Sequence, residues 1–320
     1  MADSGQLADL KAQLQSIIVG QELLLDRLLI ALLAGGHVLL EGPPGLAKTT
    51  VVHALAAGLD AGFQRVQFTP DLMPGDLTGS EIYEAANGSF RFVAGPLFNE
   101  ILLADEINRA PPKVQSALLE AMAEHQVTVG GTTRRLPELF MVLATQNPLE
   151  QSGTYPLPEA QLDRFLFKLV LDYPDLDEEI EITRRARRAR EGHVEAAVRP
   201  VLKPVDLLAL REQLDKVFVE ERVERFAVEI VVATRRLGDY LPEWRDMLQE
   251  GASPRASIAL LHASTARAFL DGRDYVLPED VVALAPDVLR HRLVLDFAAE
   301  AEDITADRIV HGLIGAVPKP

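Results

Sequence analysis

His37-Val38-Leu39-Leu40-Glu41-Gly42-Pro43-Pro44-Gly45-Leu46-Ala47-Lys48-Thr49-Thr50 decides the fold of this chain. The first five residues are an apolar run of strand length. From Thr49 to Ala57 the pattern is helical. Between them lies a turn that nearly fits G-x-x-x-x-G-K-[ST], a pattern that requires a strand before it and a helix after it. Glycines at 42 and 45 let backbone N–H groups converge on phosphates. Lys48 would supply a point charge to the β- and γ-phosphates, and Thr49 a hydroxyl to Mg²⁺. The expected ATP contacts are therefore Gly42, Pro43, Pro44, Gly45, Leu46, Ala47, Lys48, Thr49 and Thr50. One position departs from the pattern: Ala47 stands where the last glycine belongs. It fits if the backbone there is already near helical. A glycine-rich turn with an incidental lysine is the plain alternative, and the strand and helix around the loop argue against it.

Working outward, further strands are expected over 64–68, 101–104, 139–144 and 165–171, with helices between several of them. Val114, Ala117, Leu118, Ala121 and Met122 fall on one helical face. Such alternation predicts a parallel five-stranded α/β sheet covered on both sides. Two β-hairpin insertions interrupt it. Residues 78–95 carry Asn87-Gly88, a type I′ turn signal, and 126–136 carry Gly130-Gly131. Two helices, over 7–18 and 22–33, precede the first strand. The acidic stretch 172–181 runs into an arginine-rich one, read as a solvated, charge-laced helix. After Arg199-Pro200 the strand signals stop, and helices are expected over 205–215, 220–237, 254–270, 278–291 and 302–314. The expected domains are an α/β core over 1–195 and an all-α C-terminal unit over 196–320.

The strand over 101–104 ends in Asp105-Glu106. Acids at the carboxyl edge of a parallel sheet face the ligand crevice. Asp105 would hold Mg²⁺ through its water shell, and Glu106 would orient or deprotonate the attacking water. Asn147, at the end of the strand over 139–144, is placed to bond that water or the γ-phosphate. Asparagine before Pro148 as plain turn chemistry is a fair rival. Arg164 could stabilise charge developing on the γ-phosphate across a subunit boundary, and its alternative is a surface pair with Asp163. Arg255 opens a helix in the second domain and reaches the phosphates if that domain folds over the site. The seven histidines show no clustered ligand spacing, so no transition-metal site is expected. Trp244 is read as packing.

Together these stretches resemble the MoxR family of AAA+ ATPases. The matches are residues 42–49, the run 103–112 around Asp105, Ala144 to Pro148, Leu162-Asp163-Arg164-Phe165 and Ser253-Pro254-Arg255-Ala256. The resemblance spans about residues 15–315, and within it Ala47 is normal. It implies an AAA+ P-loop core followed by a helical lid. It implies that Lys48 and Thr49 are the Walker A pair, and Asp105 and Glu106 the Walker B acids. Asn147 would be sensor 1, Arg164 the arginine finger and Arg255 sensor 2. Val19 and Gly20 belong to a segment like the one that lies against the adenine, and Arg109 would act at a subunit interface. ATP and Mg²⁺ are the implied cofactors, and a ring hexamer the implied assembly. The implied partners are client proteins, among them proteins with von Willebrand factor A domains and metalloenzymes.

Composition narrows the choice. Net charge is −16, which disfavours a duplex-binding surface needing Lys and Arg against phosphates. An ATP-driven nucleic-acid motor remains the alternative, because Arg134 and Arg135 lie on the second hairpin with no acid beside them. A small-molecule kinase would leave Arg164 and Arg255 unexplained. No apolar run is long enough to span a membrane, the N-terminus lacks the pattern of a signal peptide, and there is no cysteine. The expected location is cytoplasmic.

Overall fold

The computed structural model describes residues 4–43, 46, 48–86, 88–147, 153–191 and 198–320, with the backbone alone for Ser4, Ala160 and Ala189. Helices α1 (Ser4–Ile17) and α2 (Glu22–Ala34) precede β1 (His37–Glu41), α3 (Lys48–Gly58) and β2 (Phe63–Gln67). A short helix α4 (Pro74–Thr78) leads into the first hairpin, β3 (Gly79–Glu84) and β4 (Ser89–Ala94). Next come β5 (Ile101–Asp105), α5 (Pro112–Glu124) and the second hairpin, β6 (Gln126–Val129) and β7 (Thr132–Arg135). Then follow β8 (Met141–Gln146), α6 (Glu159–Leu162), β9 (Phe165–Val170) and α7 (Leu176–Arg190).

The sheet has the order β2-β5-β8-β1-β9. β2 pairs with β5, β5 with β8 and β8 with β1, all parallel. Strands β1, β5 and β8 are buried along nearly their whole length, as near-continuous apolar runs inside a parallel sheet must be. β2 is an edge strand and exposes Gln64, Arg65 and Gln67. Polar side chains on an edge blunt its tendency to pair with another chain. In the second hairpin Gly130 and Gly131 both have positive φ, 59° and 78°, the conformation a two-residue primed turn demands. Of the first hairpin's turn, Asn87 lies outside the described residues.

The chain forms two compact units. The first comprises Met1–Leu29, His37–Leu157 and Leu169–Leu208; the second comprises Ile30–Gly36, Pro158–Lys168 and Ala209–Pro320. The expected domain boundary at 195/196 lies outside the described residues. Helix α8 (Pro204–Leu214) leads into α9 (Glu221–Thr234), α10 (Leu237–Tyr240), β10 (Leu248–Glu250), α11 (Pro254–Leu270) and α12 (Pro278–Leu289). β11 (Val294–Leu295), α13 (Phe297–Ala301) and α14 (Ala306–Ala316) complete it. Phe226, Ile230, Leu260, Leu284 and Leu313 form its apolar interior. The antiparallel pair β10–β11 is a small correction to the all-helical expectation. Strands of two or three residues carry no periodic signal.

Asp280 anchors the start of α12: it caps the N–H of Leu277 at 2.8 Å and takes two 2.7 Å bonds from Arg273. Trp244 is half-buried under the Arg308 guanidinium, 5.5 Å from the ring centre, in keeping with a packing role. Among the described residues, no helix is long and apolar enough to cross a membrane.

Candidate nucleotide site

Parallel register sets Glu41 opposite Gln146, and Gln67 opposite Asp105. The loop after β1, the acids ending β5 and Asn147 after β8 therefore leave the sheet along one edge, where ligands of open α/β sheets bind. Gly42 is required there. A Cβ on it would come within 2.6 Å of the Leu171 carbonyl oxygen, and backbone cannot yield as a side chain can. Pro43 is half-buried and Leu46 buried, and the Leu46 carbonyl accepts a 3.1 Å bond from Gln21 Nε2. Gln21 thus ties the Val19-Gly20-Gln21 segment to the loop, with Gly20 in the left-handed region at φ 71°. Pro44, Gly45 and Ala47 lie outside the described residues.

Lys48 opens α3 and donates from Nζ to the Gly42 carbonyl at 2.7 Å. Burial pulls its ammonium pKa down, opposed by the charges of Asp105, Glu41 and Glu106. Three carboxylates therefore act on the Lys48 ammonium. Thr49 and Thr50 follow in the first turn, half-buried and exposed respectively. A helix start of this kind favours anions.

The two acids are held by different groups. Asp105 Oδ1 accepts from Thr145 Oγ1 at 2.6 Å, and Oδ2 accepts from Arg65 Nη2 at 2.6 Å and Nε at 3.1 Å. Glu106 has left-handed backbone, φ 56° and ψ 51°, which costs a side-chain-bearing residue about 1–2 kcal/mol. Its N–H donates to Thr145 Oγ1 at 2.8 Å. A single buried hydroxyl therefore donates to one acid and accepts from the other's backbone. Glu106 Oε2 accepts from Gln67 Nε2 at 2.7 Å and lies 3.1 Å from Arg109 Nε. Behind this turn, buried Gln115 donates to the carbonyls of Ile107, Ala110 and Tyr155. Arg65, Gln67, Thr145 and Gln115 had no role assigned from sequence.

These residues fit a magnesium nucleotide. Mg²⁺ is usually held by one or two carboxylates plus substrate phosphates and water. The Thr49 hydroxyl and Asp105 carboxylate are donors of that kind, and Lys48 supplies charge against the phosphates. Among the described residues, no group of three or more His, Asp or Glu could hold a metal without such help.

Arg164 and Arg255 belong to the second unit. Arg164 is exposed in the turn between α6 and β9. Its neighbour Asp163 accepts from Arg292 Nε at 2.7 Å and from Ser253 Oγ at 3.3 Å, and lies 3.9 Å from Arg255 Nη1. Ser253 caps α11 through the Arg255 N–H. Asp163 thus joins the turn bearing Arg164 to the helix start bearing Arg255. Arg292 is only 4% exposed and also donates to the carbonyls of Asp163, Phe165, Leu166 and Val288. Asn147 is half-buried just past β8, in the first unit with Lys48 and the acids.

Residues 37–167 match the model of the ATPase family associated with various cellular activities (AAA), and residues 245–313 match the AAA lid domain. The chain is 46% identical over 311 residues to "Chaperone MoxR1" of Mycobacterium tuberculosis, spanning 96% of this chain and 81% of that protein. It is 33% identical over 332 residues to "Protein MoxR" of Methylorubrum extorquens, spanning 98% and 95%. A crystal structure of a candidate ATPase from Cytophaga hutchinsonii superposes with a TM-score of 0.92 at 45% identity, covering 98% of this chain and 95% of that one. The parallel five-stranded sheet and the helical C-terminal region agree with these likenesses, and the chain belongs to the MoxR family of AAA+ ATPases.

Proposed function

We propose that this chain hydrolyses ATP and uses the cycle to remodel or mature client proteins in a chaperone-like way. The observation that carries this reading is the pair of acids at the end of β5. Glu106 is held in a strained left-handed conformation beside Asp105, close enough to Lys48 for its charge to be felt there. Such strain persists where the surroundings impose it, as at working sites.

In this reading Lys48 neutralises phosphate charge, Thr49 and Asp105 hold Mg²⁺, and Glu106 accepts the proton of the attacking water. Mg²⁺ supplies charge compensation on the phosphate oxygens. Asn147 orients the water, Arg255 serves as the sensor 2 arginine, and Val19 and Gly20 border the base. Arg164 serves the neighbouring subunit of a cytoplasmic hexameric ring. Residues 1–195 are the nucleotide core and 196–320 its lid. The clients include proteins with von Willebrand factor A domains or metalloenzymes.

A protein client is favoured over nucleic acid by how the hairpins use their cations. Arg134 lies 4.0 Å from the centre of the Phe92 ring and 3.8 Å from Glu81, and Arg91 pairs with Glu84. Two basic side chains are thereby committed within the hairpins themselves. The test is Glu106→Gln. It should bind ATP with near-native affinity and lose turnover, and in pull-downs it should retain a client in an ATP-dependent way. Turnover at the native rate would remove Glu106 from its role. DNA binding that saturates, weakens with salt and stimulates turnover would favour the motor instead.

A further inference from the structure

Arg65 has no part in the reaction just described, yet it makes a close charged contact with one of the two acids. It sits on β2, the edge strand, and its ion pair with Asp105 is 2.6 Å long. Nε and Nη2 both converge on Oδ2, while Thr145 occupies Oδ1. Both carboxylate oxygens thus carry a donor, and one of these donors is a full positive charge. A guanidinium offers donors only and cannot lose its proton in a protein. It repels a divalent cation brought to the same oxygen. Asp105 is 17% exposed and Arg65 48%, so the arginine can swing into water without stranding a buried charge.

We infer that Arg65 is a positioning residue that acts as a resident counter-ion of Asp105 and competes for its carboxylate with the Mg²⁺ that would enter with the nucleotide. Arg65 therefore sets the metal concentration at which the site closes on Mg²⁺, while leaving metal-free ATP binding alone. The inference rests on the ATPase reading.

The test uses the full chain carrying Glu106→Gln, so that bound nucleotide is not consumed. A fluorescent N-methylanthraniloyl ATP is bound first in EDTA, then with Mg²⁺ titrated at fixed nucleotide. An exposed ion pair is worth about 0.2–1 kcal/mol, or about 1.4- to 5-fold. Arg65→Met should lower the Mg²⁺ midpoint by about threefold and leave the EDTA affinity unchanged. Arg65→Lys keeps the charge but gives up the fork, and should fall between the two. It also carries the test should the methionine variant fold poorly. A midpoint that stays put or rises would overturn the inference, and so would an EDTA affinity that moves by the same factor. A Glu106→Gln parent that binds no nucleotide would instead overturn the ATPase reading on which this stands.

Discussion

Asp163→Ala should cost the second unit more than any surface ion pair could, and the reason is Arg292. That side chain is 4% exposed, and its Nε bond to Asp163, at 2.7 Å, is its contact with a carboxylate. Burial pulls the guanidinium pKa down and Asp163 opposes the pull. Removing Asp163 leaves a buried cation with backbone carbonyls for company. Breaking a buried pair from one side typically costs about 3–5 kcal/mol. At about 4 °C per kcal/mol, where the ranges for small and larger domains meet, melting of the second unit should fall by about 12–20 °C.

Trp244, the only tryptophan, lies in the second unit and reports its unfolding by emission. The signal should be read for that unit alone, because two units need not unfold together. A double variant, Asp163→Ala with Arg292→Met, removes the stranded charge and should recover more than half of the loss. A shift below about 1 kcal/mol for Asp163→Ala would mean that water reaches the guanidinium, and would refute the reasoning.

Three further outcomes are expected. Thr145→Val keeps shape but removes the hydroxyl shared by Asp105 and Glu106. It should cost about 1–3 kcal/mol of stability and lower kcat more than it alters KM for ATP, as steady-state kinetics beside a melting curve would show. His291 is buried with Nε2 3.0 Å from the Phe165 carbonyl, and burial, reinforced by Arg292, holds its pKa well below the usual histidine range. Its contribution is therefore present above about pH 6.5 and is lost as pH falls toward the folded value, at about 1.4 kcal/mol per pH unit. His291→Gln should flatten the acid limb of the Trp244 melting profile, with His262, depressed likewise by burial, keeping part of the slope. Arg134→Ala releases Phe92 and Glu81, a loss of about 0.5–1 kcal/mol. Amide exchange across β3 and β4 should speed up by about two- to fivefold while basal turnover holds.

The parts of the fold that sequence made legible are those governed by short-range physics. β1, β5 and β8 are buried on both faces, so their apolar runs announce them, with ends misplaced by a residue or two. The strand expected over 139–144 forms as Met141–Gln146 because Leu139 and Phe140, though buried, precede the first ladder pair. Gly130-Gly131 announced the second hairpin because few residues accept two successive positive φ angles. The β10–β11 pair gave no such signal, since its register is set by long-range packing.

At the site, Asp105 and Glu106 stand where the apolar run of β5 stops, and Lys48 and Thr49 open the helix after the glycine-containing loop, so short-range pattern alone places these four. Arg65 and Gln67 are not, because their partners lie about forty residues away and are chosen by register alone. Gln67 stands opposite Asp105. A slip of one residue would turn both side chains to the other face. Alternation along β2 places Arg65 and Gln67 on the same side, two residues apart. Asp105 and Glu106 are consecutive, and a regular strand would send them to opposite faces. Yet Arg65 reaches Asp105 and Gln67 reaches Glu106 from that one side. The left-handed backbone of Glu106 resolves the conflict, turning the second acid back to the edge where the first already points. The strain at 106 is therefore the geometric condition for two neighbouring acids to face one edge of the sheet, and the Thr145 hydroxyl, bonded to the Glu106 N–H and to the Asp105 carboxylate, holds that condition in place.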